Sequence, residues 1–120
     1  MVTFFIFDSN QDKMNVYNRS SLIAFYQKHT DCKDALEKWY HDVTSKQWKK
    51  TGDVTKDFTT ARTVRNNRAV FEISHNNYRL IVEINYQKGW MFIKFIGTHA
   101  EYDKVDAATV NLFKADKKRK

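Results

Sequence analysis

The alternation of apolar and polar positions is clearest between residues 68 and 96. Three runs there, RAVFEIS (Arg68–Ser74), YRLIVEINY (Tyr78–Tyr86) and WMFIKFI (Trp90–Ile96), are rich in β-branched and aromatic residues. Turn signals separate them, Asn76-Asn77 and Lys88-Gly89, so the pattern predicts three antiparallel strands joined by tight hairpins. A two-residue turn at Lys88-Gly89 sets Gln87 against Trp90, Val82 against Phe95, Ile84 against Ile93, Glu83 against Lys94 and Arg79 against Thr98. A two-residue turn at Asn76-Asn77 sets His75 against Tyr78, Ile73 against Leu80, Phe71 against Val82 and Ala69 against Ile84. One face then carries Leu80, Val82, Ile84, Ile93 and Phe95 and reads as core. The other carries Arg68, Glu72, Ser74, Arg79, Glu83 and Lys94. A one-residue slip would mix the two sets, so the alternation supports the register.

Upstream the period changes from two to three and four. Ser20 or Ser21 can cap a helix through Leu22, Ile23, Phe25 and Tyr26 to His29, and Thr30 and Asp31 a second from Cys32 to about Ser45. Ala35, Leu36, Trp39, Tyr40 and Val43 form one stripe on the second helix, so the two should pack as an antiparallel pair whose aromatics are core. Asn15–Asn18 predicts a short first strand. Gly52–Asn67 is polar and reads as loop with one helical turn near Val54–Phe58. Thr98 can cap a helical turn, and Asp103–Phe113 predicts a short C-terminal helix. The outcome is an α+β domain with a short N-terminal strand, a helix pair, a three-stranded antiparallel meander and a short last helix.

Composition narrows the classes. At 120 residues, 42% hydrophobic and 15% aromatic, the chain is long enough to bury a core and is not disordered material. It has no proline and no apolar run long enough for a membrane span. The opening VTFFIF is too short for a signal-peptide core and runs into Asp8. Cys32 is the single cysteine, which excludes an internal disulfide and suits a reducing cytoplasm. The net charge of +7 is concentrated in the second half, and Arg62, Arg65, Arg68 and Arg79 fall within eighteen residues. Such a surface suits a polyanion, although solubility alone accounts for many basic domains.

In this register Arg79, Lys94 and His99 converge at one end of a strand pair, which makes that end the candidate site. Lys46, Lys49 and Lys50 surround Trp48, either as contacts to an RNA backbone or as a helix end whose indole anchors a loop. His99, Glu101 and Asp103 lie within one helical turn, but no Cys or second His is near enough in sequence to complete a metal site.

The element order and the string FIGTHAEYDKVDA (Phe95–Ala107) resemble the HigB-type toxins of bacterial toxin–antitoxin pairs, in the RelE-like superfamily. The residues that carry the resemblance are Trp39-Tyr40, Asn67-Arg68, Tyr78-Arg79-Leu80 and the run Gly97-Thr98-His99-Ala100-Glu101-Tyr102-Asp103. It covers roughly Met14–Ala107. The expected organisation is one RelE-like toxin domain over 14–113, an extension outside the family pattern over 1–13, and a basic disordered tail over 114–120. The resemblance implies a cytoplasmic endoribonuclease that cuts messenger RNA on the translating ribosome without a metal or other cofactor. It further implies silencing by a HigA-type helix-turn-helix antitoxin, contact with DNA only through that antitoxin, and no membrane partner. On this reading His99 is the general acid or base, Arg79 holds the phosphate, and Tyr102 stacks on a base or assists proton transfer. Arg68 and Lys94, with Lys46, Lys49 and Lys50, are candidate contacts to the RNA backbone.

Each assignment has a plainer counterpart. His99 can merely occupy a capped turn, Lys94 can pair with Glu83 across the strands, and Tyr102 can pack on the core. Two other functions use the same basic face: a non-catalytic RNA- or ribosome-binding module, and a corepressor acting with the antitoxin on DNA.

Overall fold

The three apolar runs form the middle of a larger sheet than the hairpins alone suggest. A computed structural model of the protein describes residues 13–113. The expectations for the basic tail over 114–120, and for all of the N-terminal extension but Lys13, lie outside the described residues. Strands β1 (Asn15–Tyr17), β2 (Arg62–Val64), β3 (Arg68–Ile73), β4 (Tyr78–Asn85) and β5 (Trp90–Thr98) form one sheet in the order β1-β5-β4-β3-β2. β1 runs parallel to β5, and all other neighbours are antiparallel. The α+β class stands, but the sheet is a mixed one of five strands, not a meander of three. The three-residue β2 falls in the stretch read as loop.

Helix α1 (Arg19–Lys28) leads through a 3₁₀ turn (Thr30–Cys32) into α2 (Lys33–Thr44), and α3 (Thr51–Asp57) follows. Ser20 and Ser21 lie inside α1 and do not cap it. Asn18 takes the N-cap position in the left-handed region, with φ 73°, and makes no side-chain cap. Asp31 does not cap α2 either: its carboxylate accepts the Tyr78 hydroxyl at 2.7 and 3.0 Å, which ties the helical corner to β4. That bond pushes the Tyr78 phenol up to about 12. Between the helices, Glu37 accepts from Arg19 Nη2 at 3.0 Å and from the Tyr26 hydroxyl. The Tyr26 bond and the Arg19 charge hold the Glu37 carboxyl below its usual range. A depressed acid stabilises the fold above its unfolded pKa, and that contribution is lost as pH falls through the folded value.

The helices cover one face of the sheet. Leu22, Leu36, Trp39 and Val43 are buried against Ala69, Phe71, Leu80, Val82, Ile84, Met91 and Ile93. Burying each large side chain of this kind is worth about 1.5–3 kcal/mol. Phe71 is the centre of an aromatic cluster, with Phe58, Trp39 and Trp48 at ring-centroid distances of 5.1, 5.5 and 6.4 Å.

Both hairpin registers differ from the sequence expectation, and by the same step. Ile73 pairs with Tyr78, Phe71 with Leu80 and Ala69 with Val82; Ile84 pairs with Met91 and Val82 with Ile93. Each loop is four residues long instead of two. Ser74, His75 and Asn76 take φ values of 54°, 54° and 78°, and Gly89 takes 75°. A shift of two keeps every side chain on its face, so the core survives both errors. Between Ile81 and Val82, however, the β4–β5 ladder has a bulge, and beyond it Ile81 pairs with Phe95, Leu80 with Ile96 and Arg79 with Gly97. That one-residue change moves Phe95 off the helix-covered face and puts Ile96 there instead.

The outer face is therefore not wholly polar. Val70, Ile81 and Phe95 form a second buried cluster, covered by Val64, Tyr102, Val105, Ala107 and Val110. The expected helix over Asp103–Phe113 does not form. Helix α4 is the single turn His99–Tyr102, and the chain after it lies across the sheet as a succession of turns. Its backbone is held by the sheet and the loop beside it: Arg68 donates to the carbonyls of Ala107 (3.1 Å) and Val110 (2.6 Å), Asn66 to that of Ala108 (2.8 Å), and Leu112 N–H to that of Lys94 (2.9 Å).

Candidate active site

The site begins where β5 becomes α4. Thr98 and Glu101 form a capping box: the Thr98 hydroxyl accepts Glu101 N–H at 3.2 Å, and Glu101 Oε1 accepts Thr98 N–H at 2.8 Å. His99 N–H donates to the Asn77 carbonyl at 3.1 Å, fixing the start of the turn to the β3–β4 loop. Gly97 lets the turn close tightly. A Cβ there would lie 2.7 Å from both Glu101 Oε1 and the Phe95 ring. These contacts aim His99 and Tyr102 from a rigid corner.

His99 Nε2 stands 3.5 Å from Asp103 Oδ2 one turn on, with the two side chains 49% and 61% exposed. Tyr102 occupies the middle of the site. Its ring lies over Phe95 at 6.5 Å, the Arg79 guanidinium carbon sits 5.3 Å from its centroid, and Arg62 Nη2 donates to its hydroxyl. Arg79 is further held by a 3.0 Å bond from Nη1 to the Asn76 carbonyl. An open groove of about 470 Å³ adjoins this cluster, lined by Arg62, Arg65, Tyr102, Asp103 and Asp106 among others. A histidine, a phenol and arginines on both sides of that phenol can move protons and stabilise anionic oxygens at one place.

The structure thus brings Arg79 and Tyr102 into contact and places His99 on the same helical turn as Tyr102, with Arg79 opposite Gly97 and not opposite Thr98. It adds Arg62, hidden in a stretch read as loop, and Asp103, considered only as a metal ligand. The arginine-rich spacing from Arg62 to Arg79 was the one signal that could have found Arg62. Among the described residues no three His, Cys, Asp or Glu side chains gather as a metal site would require.

Arg68 lies elsewhere and does a different job. It is only 5% exposed, donates through Nε to Glu83 at 3.2 Å, and holds two carbonyls of the C-terminal segment, so its guanidinium is not presented to RNA. Arg68→Ala should lower unfolding free energy by about 2–3 kcal/mol, the scale of charged hydrogen bonds left unmade. The value stays below that of a fully buried pair because Glu83 is 41% exposed and can turn to water. Equilibrium urea unfolding checks it, and an unchanged midpoint would remove Arg68 from this structural role.

Lys94 sits at the bulge with its ammonium 5.8 Å from the Phe92 ring centroid, and Glu83 pairs with Arg68, not with Lys94. Lys46, Lys49 and Lys50 lie at the other end of the sheet. Lys46 O accepts from Met14 N–H beside the start of β5, roughly 30 Å from His99 at strand spacing. Trp48 is buried and donates to Asp57 Oδ2 at 2.8 Å, so the indole anchors a loop, and Lys46 Nζ stands 3.8 Å from the same carboxylate.

The protein is a small basic α+β domain with histidine, tyrosine and arginine at the end of its central strands. The chain belongs to the HigB toxin family, described as the RelE-like toxic component of a toxin–antitoxin system, whose family model matches residues 32–105. The match runs from the last residue of the 3₁₀ turn to Val105 and so includes Arg62, Arg79, His99, Tyr102 and Asp103. A comparison with curated proteins found no match.

Proposed function

We propose that the protein is an endoribonuclease that cleaves messenger RNA, acting on the translating ribosome in the cytoplasm, and that a HigA-type helix-turn-helix antitoxin silences it. The observation that carries this reading is Tyr102, flanked by Arg62 and Arg79 one helical turn from His99. In the proposed reaction the 2′-hydroxyl attacks the adjacent phosphorus, its proton leaves to a base, and the bond to the 5′-oxygen breaks as that oxygen gains a proton. The products are a 2′,3′-cyclic phosphate and a 5′-hydroxyl. His99, oriented by Asp103, acts in proton transfer; Arg79 stabilises the charge of the phosphorane; Tyr102, its hydroxyl oriented by Arg62, supplies the second proton-handling group or stacks on a base. These residues supply what the step needs without a metal. Among the described residues no helix is long and apolar enough to cross a membrane.

The test is cleavage of a defined messenger on programmed ribosomes, with the new ends mapped. Cyclic phosphate ends support the mechanism. A protein that binds programmed ribosomes and leaves the messenger whole would be a binding module instead. Repression of a toxin–antitoxin promoter without any cleavage would favour the corepressor role.

Electrostatics should govern the affinity. Each phosphate contact to single-stranded RNA adds about −0.7 to the slope of log affinity against log salt. Residues 114–120 carry five Lys/Arg and one Asp. Their deletion should flatten that slope and leave the positions of cleavage unchanged, as measured by filter binding between low and physiological salt.

A further inference from the structure

The outer face of the sheet carries a second feature, at the end away from His99. Tyr17, Trp90 and Phe92 form one aromatic patch across β1 and β5: Tyr17 stacks on Phe92 at 5.1 Å, and Trp90 meets both rings edge-on at 6.2 Å. The pairings Tyr17↔Phe92 and Asn15↔Trp90 place these rings on the face opposite Val16 and Met91, which enter the main core. Tyr17 is 41% exposed, and Trp90 and Phe92 are half-buried. Lys88 Nζ lies 5.0 Å from the Trp90 centroid and Lys94 Nζ 5.8 Å from that of Phe92. Beside the rings runs a groove of about 470 Å³ whose lining includes Asn67, Asn85 and Gln87. The groove's one carboxylate, Glu83, is paired with Arg68.

We propose that this patch is a stacking subsite for single-stranded RNA, taking a base of the same chain that is cut at His99. The inference rests on the reading that the substrate is RNA. Exposed rings accept any base through its π face, lysine ammoniums supply charge to the phosphates on either side, and amides reach base edges. The patch sets two lysines against one carboxylate, Glu83, which is paired with Arg68, and its exposed rings, which stack on bases, favour RNA over an acidic protein partner. Lys88 is exposed at a turn, so an incoming base can displace it from Trp90 while its charge stays at hand for phosphate. From Phe92 to Thr98 the strand advances roughly 20 Å, so the subsite would hold nucleotides a few positions from the cleaved bond.

Tryptophan fluorescence can read this patch selectively, because Trp39 and Trp48 are buried in the main core and Trp90 alone reaches the surface. The probe is a 2′-O-methyl oligouridylate, which lacks the attacking hydroxyl and so reports binding whether or not the protein is a nuclease. An abasic oligomer of equal length serves as the comparison. The expected result is quenching by the uridylate and not by the abasic strand. Trp90→Leu, followed by anisotropy of a labelled strand, should weaken binding by roughly 5- to 100-fold, the range for one stacked base. Lys88→Ala, at an exposed position, should weaken it less and keeps the test valid if Trp90→Leu folds poorly. Equal affinity of Lys88→Ala and a folded Trp90→Leu with the parent protein would overturn the proposal, as would equal quenching by the abasic strand. A Trp90 already shielded from acrylamide in the free protein would show that another part of the chain covers the rings, and would also overturn it. So would quenching by the antitoxin together with none by RNA. Oligonucleotide quenching in a protein that cuts no messenger would leave this subsite standing while removing the nuclease reading.

Discussion

His99→Ala and Arg79→Ala should each leave a folded protein that cuts messenger about 10²–10⁴-fold more slowly, the usual loss for a general acid–base group or a charge-stabilising donor. Geometry explains why the fold survives. His99 is half exposed, and its partner Asp103 more so, so the lost pair is a surface one worth under about 1 kcal/mol. Arg79 lies on the outer face over the Tyr102 ring, and removing it sacrifices a contact of about 0.5–1 kcal/mol and opens no cavity in the main core. The loss should appear in the single-turnover rate at saturating programmed ribosomes, with circular dichroism and thermal melting as folding controls. In cells, each variant should relieve growth inhibition. A folded His99→Ala protein cutting at the parental rate would remove His99 from the mechanism and leave Tyr102, with Arg62 at its hydroxyl, as the proton-handling group to examine next.

Phe71→Ala should have the opposite signature: a lost fold and no intrinsic change in chemistry. Phe71 is buried on all sides by Trp39, Trp48 and Phe58, which come from α2, the loop before α3, and the loop after it. Truncation removes the ring that these three share and leaves a hole they cannot jointly fill. The expected cost is about 3–5 kcal/mol. A domain of this size has about 5–15 kcal/mol of stability in all, so a substantial unfolded fraction and loss of toxicity would follow. Chemical denaturation monitored by fluorescence measures it. A cost below about 1 kcal/mol would mean that the aromatic cluster is not the centre of the core.

The parts of the fold legible in the sequence were those with a strong period. Ala35, Leu36, Trp39, Tyr40 and Val43 specify one face of α2, and the three apolar runs specify β3, β4 and β5. The turns were less legible, because Asn76-Asn77 and Lys88-Gly89 carry the residues of a two-residue turn while the chain uses four. Ser74 takes the left-handed region at φ 54°, which its residue type does not announce. The error of two preserved the faces; the bulge at Ile81/Val82 did not, and no residue of FIKF marks it. The C-terminal segment was read as a helix following the Thr98 cap, whereas its apolar Val105, Ala107 and Val110 cover the outer cluster from a run of turns. What decides its form is tertiary: Arg68 and Asn66 bind carbonyls that a helix would have used internally. Of the site, the Gly97–Asp103 run located His99 and Tyr102, and the strand pattern located Arg79. Arg62 could not be placed without β2, whose three residues give too short a pattern to read.

The bulge has a consequence for how this protein comes apart. It divides β5 into two stretches of opposite parity: before it Met91 and Ile93 enter the inner layer, and after it Phe95 enters the outer layer and Ile96 the inner one. The corner that aims His99 and Tyr102 therefore rests on both layers, with Ile96 and Tyr78 on the inner side, and Val70, Ile81 and Phe95 on the outer side under a segment held by a few hydrogen bonds. Proteins open in cooperative units of unequal stability, and the outer cluster, far smaller than the inner one, is the part expected to open first. Loosening of the outer cluster would free Tyr102 from Phe95 and disturb the candidate site while the helices and inner layer remain native. A partner that grips the C-terminal segment could in this way disarm the toxin without covering its site and without unfolding it.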